Sequence, residues 1–125
     1  MALNIPEGNQ NVMPYLILPN ALKFSEFTQN LFGATETIRH LHPDGSLMHA
    51  QIMIGDSTIM FGESSDRFPP MTAGLFIYVA NADESYQKAI KAGCTSVMEP
   101  ADQEYGRACG VLDPFGNTWW ITGVR

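Results

Sequence analysis

Residues 104–122 read EYGRACGVLDPFGNTWWIT, and the turn chemistry of this stretch decides the fold. Val111 and Leu112 end one strand and Thr118 to Thr122 form the next, because β-branched and aromatic residues flank the cluster Asp113-Pro114-Phe115-Gly116-Asn117. Pro114 presets φ near the start of the turn, and Gly116 or Asn117 can take the positive φ that completes it. The spacing predicts a hairpin. Successive strand side chains point to opposite faces, so Trp119 and Trp120 belong to different environments, one of them the core.

Outward from this hairpin the chain reads as one unit written twice. Strands are predicted over Val12–Leu18, Thr35–Leu41, Leu47–Ile54 and Ser57–Gly62, then over Leu75–Val79, Thr95–Met98, Arg107–Leu112 and Thr118–Thr122. A helix over Ala21–Leu31 presents Phe24, Phe27 and Leu31 on one face, with Asn20 as its N-cap and Gly33 as its stop. A second helix over Asp83–Lys91 follows Asn81-Ala82 and stops at Gly93. Asn20-Ala21, Gly33 and Gly55 recur as Asn81-Ala82, Gly93 and Gly116 roughly 60 positions later, which predicts an internal duplication. The chain is then a single domain over 1–125. It has an N-terminal arm (1–11), a first module (12–63), a linker containing Pro69-Pro70 (64–72) and a second module (73–125). One helix covers only one face of each module's sheet, so the other face is left for a pseudo-repeat, a ligand or another chain.

Composition narrows the function. The 125 residues carry a net charge of -6, and the 7 Lys and Arg are scattered, which argues against nucleic acid as a partner. That field suits a neutral or cationic small ligand. No apolar run has the length of a membrane span, and Met1 to Gln10 shows neither a basic start nor an apolar stretch. A soluble, cytoplasmic protein is expected. Cys94 and Cys109 fit neither a disulfide framework nor a zinc site and read as buried free thiols.

Alternation sorts the two opening strands. Leu16 and Leu18 oppose Met13, Tyr15 and Ile17, and Leu75, Ile77 and Val79 oppose Gly74, Phe76 and Tyr78. The aliphatic sets suit the helices, whereas the aromatic sets suit a concave ligand surface, since a tyrosine hydroxyl needs a partner when buried. One of the two tryptophans joins that surface. His40, His42 and His49 lie close enough for a three-histidine site to be conceivable, but no nearby carboxylate motif supports it. His49 is the better single candidate, as a hydrogen-bond partner or general base. Glu104 and Arg107 precede the closing hairpin. Arg107 is read either as a fork for a ligand carboxylate or phosphate, or as the partner of Glu104 or Asp102. No phosphate loop and no nucleophile motif such as GxSxG is present, so no cofactor is expected.

Several stretches together are similar to one known family. They are Ile5-Pro6-Glu7-Gly8, Pro14-Tyr15-Leu16, Leu31-Phe32-Gly33-Ala34, His49-Ala50, Ile54-Gly55-Asp56-Ser57, Tyr105-Gly106-Arg107, and Asp113-Pro114-Phe115-Gly116-Asn117 with Trp119-Trp120. In order and spacing the chain resembles the vicinal oxygen chelate superfamily (glyoxalase I, bleomycin resistance proteins, extradiol dioxygenases), most closely its PhnB-like branch. The resemblance implies an α+β fold of two βαβββ modules forming a cupped, partly open mixed β-sheet with the helices outside, usually as a homodimer with its cavity in the cup. The family's metal ligands would fall on Met13, Ile59, Gly74 and Trp120, none of them an ordinary ligand of a divalent cation. No metal centre is therefore expected, Trp120 is assigned to the cup, and Trp119 to the helices. Related sequences often read Tyr-Gly-Asp-Arg where this chain passes directly from Gly106 to Arg107. The expected function is binding of a planar or aromatic molecule by Met13, Tyr15, Ile59, Phe76, Tyr78, Arg107 and Trp120. One alternative is a glyoxalase-like lyase, isomerase or dioxygenase with a nonstandard ligand set, using His49 or Glu104. The other is a degenerate member whose cup serves dimerisation.

Overall fold

A computed structural model describes residues 3–124; Met1 and Ala2 of the expected arm, and Arg125, lie outside the described residues. Two compact units divide between Met71 and Thr72. The first contains β1 (Tyr15–Leu18), α1 (Ala21–Phe32), β2 (Thr35–Leu41), β3 (Leu47–Ile54) and β4 (Ser57–Glu63). The second contains β5 (Gly74–Val79), α2 (Ala82–Lys91), β6 (Thr95–Gln103), β7 (Gly106–Leu112) and β8 (Thr118–Gly123). The sheets share one topology, β1-β4-β3-β2 and β5-β8-β7-β6. In each, the opening strand runs parallel to the closing strand and the other pairs are antiparallel. This is an α+β fold of two mixed four-stranded sheets, each with one helix.

Most elements follow the sequence pattern, and the differences have local causes. β1 begins at Tyr15 rather than Val12, because Pro14 has no N–H to donate; its carbonyl still accepts from the Met60 N–H at 3.0 Å. β6 continues past Pro100 to Gln103 where the sequence suggested a stop at Met98. It is the edge strand, and register shifts on either side of Met98 accommodate the missing donor. The segment read as a linker is tied down at both ends. Ser64 N–H donates to the Leu18 carbonyl, and Met71 exchanges two backbone hydrogen bonds with Ile17.

In the first unit Leu16, Leu18, Ile52, Ile59 and Phe61 are buried together with Phe24, Phe27 and Leu31 of α1. Phe24 meets Phe61 edge-on at 5.0 Å. Burying such a side chain completely contributes about 2–3 kcal/mol. In the second unit Ala82, Tyr86 and Ala89 of α2 are buried with Cys109, Val111, Trp119 and Ile121. The Tyr86 hydroxyl donates to Ser96 Oγ at 2.8 Å, which satisfies its polar end.

The helix starts differ. Asn81 caps α2 as expected, accepting from the Glu84 N–H at 3.0 Å. Asn20 adopts a left-handed conformation and makes no side-chain cap. Glu63, at the end of β4, caps α1 instead: its carboxylate accepts from the N–H groups of Asn20 and Ala21 at 3.0 and 3.1 Å.

Candidate functional site

The face of the first sheet away from α1 carries a row of rings. Tyr15 on β1 stacks on His49 of β3, with centroids 5.6 Å apart, and its hydroxyl lies 3.3 Å from His49 Nδ1. β4 lies between these strands, and Gly62 lets the tyrosine reach across it. A Cβ at Gly62 would sit 2.7 Å from the Met48 carbonyl oxygen and 3.6 Å from the Tyr15 hydroxyl. Opposite His49, His40 on β2 continues the stack at 6.4 Å. Gln51 Nε2 lies 3.4 Å from His49 Nε2. Partial burial and the neighbouring His40 both lower the pKa of His49, which favours a neutral imidazole at neutral pH.

Beside this row lies a groove of about 860 Å³. Its floor is Tyr15, Ile17 and Met48; the turn at Asp44 forms one wall, and Arg67 with Phe68 another. Tyr15 is 47% exposed and Phe68 52%, so both offer ring surface to an occupant.

The second sheet has its own aromatic face. Phe76 and Tyr78 on β5 meet edge-on at 5.0 Å, and Trp120 on β8 stands in register with Phe76. All three are exposed, and Trp119 is buried on the opposite face. Gly110 on β7 makes room for the Trp120 ring, since a Cβ there would come within 2.6 Å of Cζ3. On the same face the Thr122 hydroxyl is buried and finds no hydrogen-bond partner among the described residues.

Not every expected residue reaches these faces. Ile59 pairs with Ile52 and lies two residues from Phe61, so it points to the α1 side, and the open-face neighbour of Tyr15 on β4 is Met60. With a side-chain period of two, an alignment displaced by one residue changes the face. Met13 is half-buried and precedes β1. Arg107 alternates with the open-face residues of β7 and turns toward α2. There its Nε and Nη2 donate to Asp83, both at 3.1 Å, and Nη1 lies 3.5 Å from Asp102. This guanidinium is engaged within the protein, and its principal partner is Asp83 rather than Glu104. Glu104 and Tyr105 are exposed in the turn between β6 and β7. Arg67, Phe68 and Met48 were not singled out from the sequence. The first two fall in a Pro-containing connection with no periodicity, and Met48 breaks the alternation of β3, where Leu47 is buried instead.

The four positions where the family resemblance would place metal ligands carry no ordinary ligand of a divalent cation. Met13 offers a thioether, Ile59 faces the helix, Gly74 has no side chain and Trp120 presents an indole, so these residues do not fit a divalent ion. Among the described residues, no three His, Cys, Asp or Glu side chains are grouped to hold one elsewhere. No described helix is long and apolar enough to cross a membrane.

Known proteins agree with this architecture. An uncharacterized protein of Mycobacterium bovis is 31% identical over 95% of this chain and 84% of its own length. A putative 3-demethylubiquinone-9 3-methyltransferase, the PhnB protein of Bacillus cereus, superimposes with a TM-score of 0.71 at 16% identity, over 90% of this chain and 98% of that one. TnmS3, an antibiotic binding protein from Streptomyces sp. CB03234, superimposes with a TM-score of 0.67 at 16% identity, over 94% of this chain and all (100%) of that one. The sequence matches the family description over residues 16–121, and the chain belongs to the Glyoxalase/Bleomycin resistance protein/Dioxygenase superfamily.

Proposed function

We propose that this chain binds a small planar or aromatic molecule, without a metal ion, by stacking and apolar contact. The observation that carries this reading is the groove of the first unit, where the Tyr15 ring, oriented by His49, floors a cavity of about 860 Å³. That volume lies within the range of ordinary small-molecule pockets. The exposed Phe76, Tyr78 and Trp120 make the second sheet's open face a further stacking surface of the same kind. An antibiotic-binding protein among the structural neighbours is consistent with this chemistry. Titration of a fluorescent aromatic probe tests the reading. Tyr15→Ala and Trp120→Ala, made separately, should each weaken a ligand stacked on that ring by about 1–3 kcal/mol. Unchanged affinity in both variants would overturn it.

A second reading follows from the neutral His49 beside the Tyr15 hydroxyl, a pair able to accept and relay a proton in a lyase or isomerase. Stoichiometric divalent metal in the purified protein, lost in His49→Ala, would favour this enzyme reading over metal-free binding. The same open aromatic face in the second unit also suits a homodimer contact, which solution mass tests directly.

A further inference from the structure

We propose that the groove of the first unit selects aromatic compounds carrying an anionic group, a carboxylate, sulfonate or phosphate, and that Arg67 receives that group. This rests on the groove being a ligand site. Arg67 stands on a short turn with defined geometry. The Ser65 N–H donates to the Phe68 carbonyl at 2.8 Å, and the Phe68 N–H donates to Ser65 Oγ at 3.1 Å. The Ser64 and Met71 hydrogen bonds anchor the same segment to β1 on both sides. The guanidinium carbon lies over the Phe68 ring, 5.1 Å from its centre, so the cation rests against the groove wall. Among the described residues no carboxylate pairs with it.

The two acids that line the same groove differ from Arg67 in this respect. Glu63 spends both carboxylate oxygens on the N–H groups of Asn20 and Ala21 at the start of α1, where the positive end of the helix offsets its charge. Asp44 accepts from the N–H and the hydroxyl of Ser46 at 2.9 and 2.6 Å, on a solvated turn where water screens it. Asp66 adjoins Arg67 in sequence but does not line the groove. Arg67 is thus the charged groove residue with unused donors, and its planar fork matches an anion beside a ring resting on Tyr15. The overall charge of -6 favours cations at long range, but that preference is screened within about 10 Å at ordinary salt, whereas a forked contact acts at hydrogen-bond distance.

Two fluorescent probes sharing one ring system make the test, anilinonaphthalene sulfonate and the uncharged N-phenylnaphthylamine. Arg67→Gln, at an exposed position, should weaken the sulfonate about tenfold and the neutral probe less than about twofold. Arg67→Lys should restore only part of the difference, because an ammonium lacks the fork. Tyr15→Ala should weaken both probes. Equal sulfonate affinity in Arg67→Gln and the native protein would overturn the anion preference while leaving the groove as a stacking site. If neither probe binds the native protein, the groove reading falls and the anion preference with it.

Discussion

The Asp113 carboxylate accepts the indole N–H of Trp119 at 2.8 Å, six residues away across the closing turn. The same buried group accepts from the N–H groups of Phe115 and Asn117 at 2.8 and 2.9 Å and from the Asn117 amide at 3.0 Å. Four donors converge on one side chain. Replacing Asp113 by Ala strands buried donors at a cost of about 1–3 kcal/mol each, so a loss of at least about 3 kcal/mol is expected. Asp113→Asn keeps one acceptor and should fall between. Urea denaturation followed by tryptophan fluorescence measures both; a loss below about 1 kcal/mol for the alanine variant would contradict this role.

Glu63 should matter more than Asn20 for α1. α1 has no acidic residue in its own first turn, and the Glu63 carboxylate takes the N–H groups of its cap residue Asn20 and its first residue Ala21. Glu63→Ala is expected to destabilise by about 1 kcal/mol, whereas Asn20→Gly should be neutral or slightly favourable, since position 20 sits at φ 55. Equilibrium unfolding of the two variants ranks them.

His49 links stability to pH. Its proton affinity is lowered in the folded state, by burial first and by His40 second, with Tyr15 on β1 and Gln51 on its own strand as its polar neighbours. Below the ordinary value of 6.5 the unfolded chain therefore binds more protons than the folded one, so stability is complete above that pH and declines as pH falls through it. Denaturation midpoints between about pH 7.5 and pH 5.5 should fall in the native protein and fall less in His49→Gln. The lowered carboxylates Asp44 and Asp83 lose their contribution only as pH falls below 3.8, outside this window.

Both cysteines should be unreactive in the folded protein. Burial pushes the Cys94 thiol up to about 12, with the negative Asp113 adding to it, and pushes Cys109 up to about 11, with Asp83 adding to it. The thiolate is the reactive form, so native protein should react with a disulfide reagent near pH 8 at least about a hundredfold more slowly than unfolded protein. Rapid labelling of either cysteine under native conditions would contradict this placement.

The order of the elements was legible because it is local. Phe24, Phe27 and Leu31 mark a helical stripe, Phe76 and Tyr78 alternate with Leu75 and Ile77, and Asp113 to Asn117 carry their own turn chemistry. The recurrence of Asn-Ala and glycine landmarks announced two units with one topology. Tertiary structure alone decided which residues serve which neighbour. Glu63 reaches α1 because β4 ends beside β1, Arg107 is claimed by Asp83 of α2, Ile59 is turned to the helix by the pairing register, and Arg67 joins the groove through hydrogen bonds to β1. Periodicity and turn propensity act over a few residues and are written in the chain. Strand adjacency, register and helix docking settle only when the sheet forms, over 24 residues for Arg107 and Asp83 and over 43 for Glu63 and Asn20, so they assign caps, ion pairs and binding surfaces that no short stretch specifies.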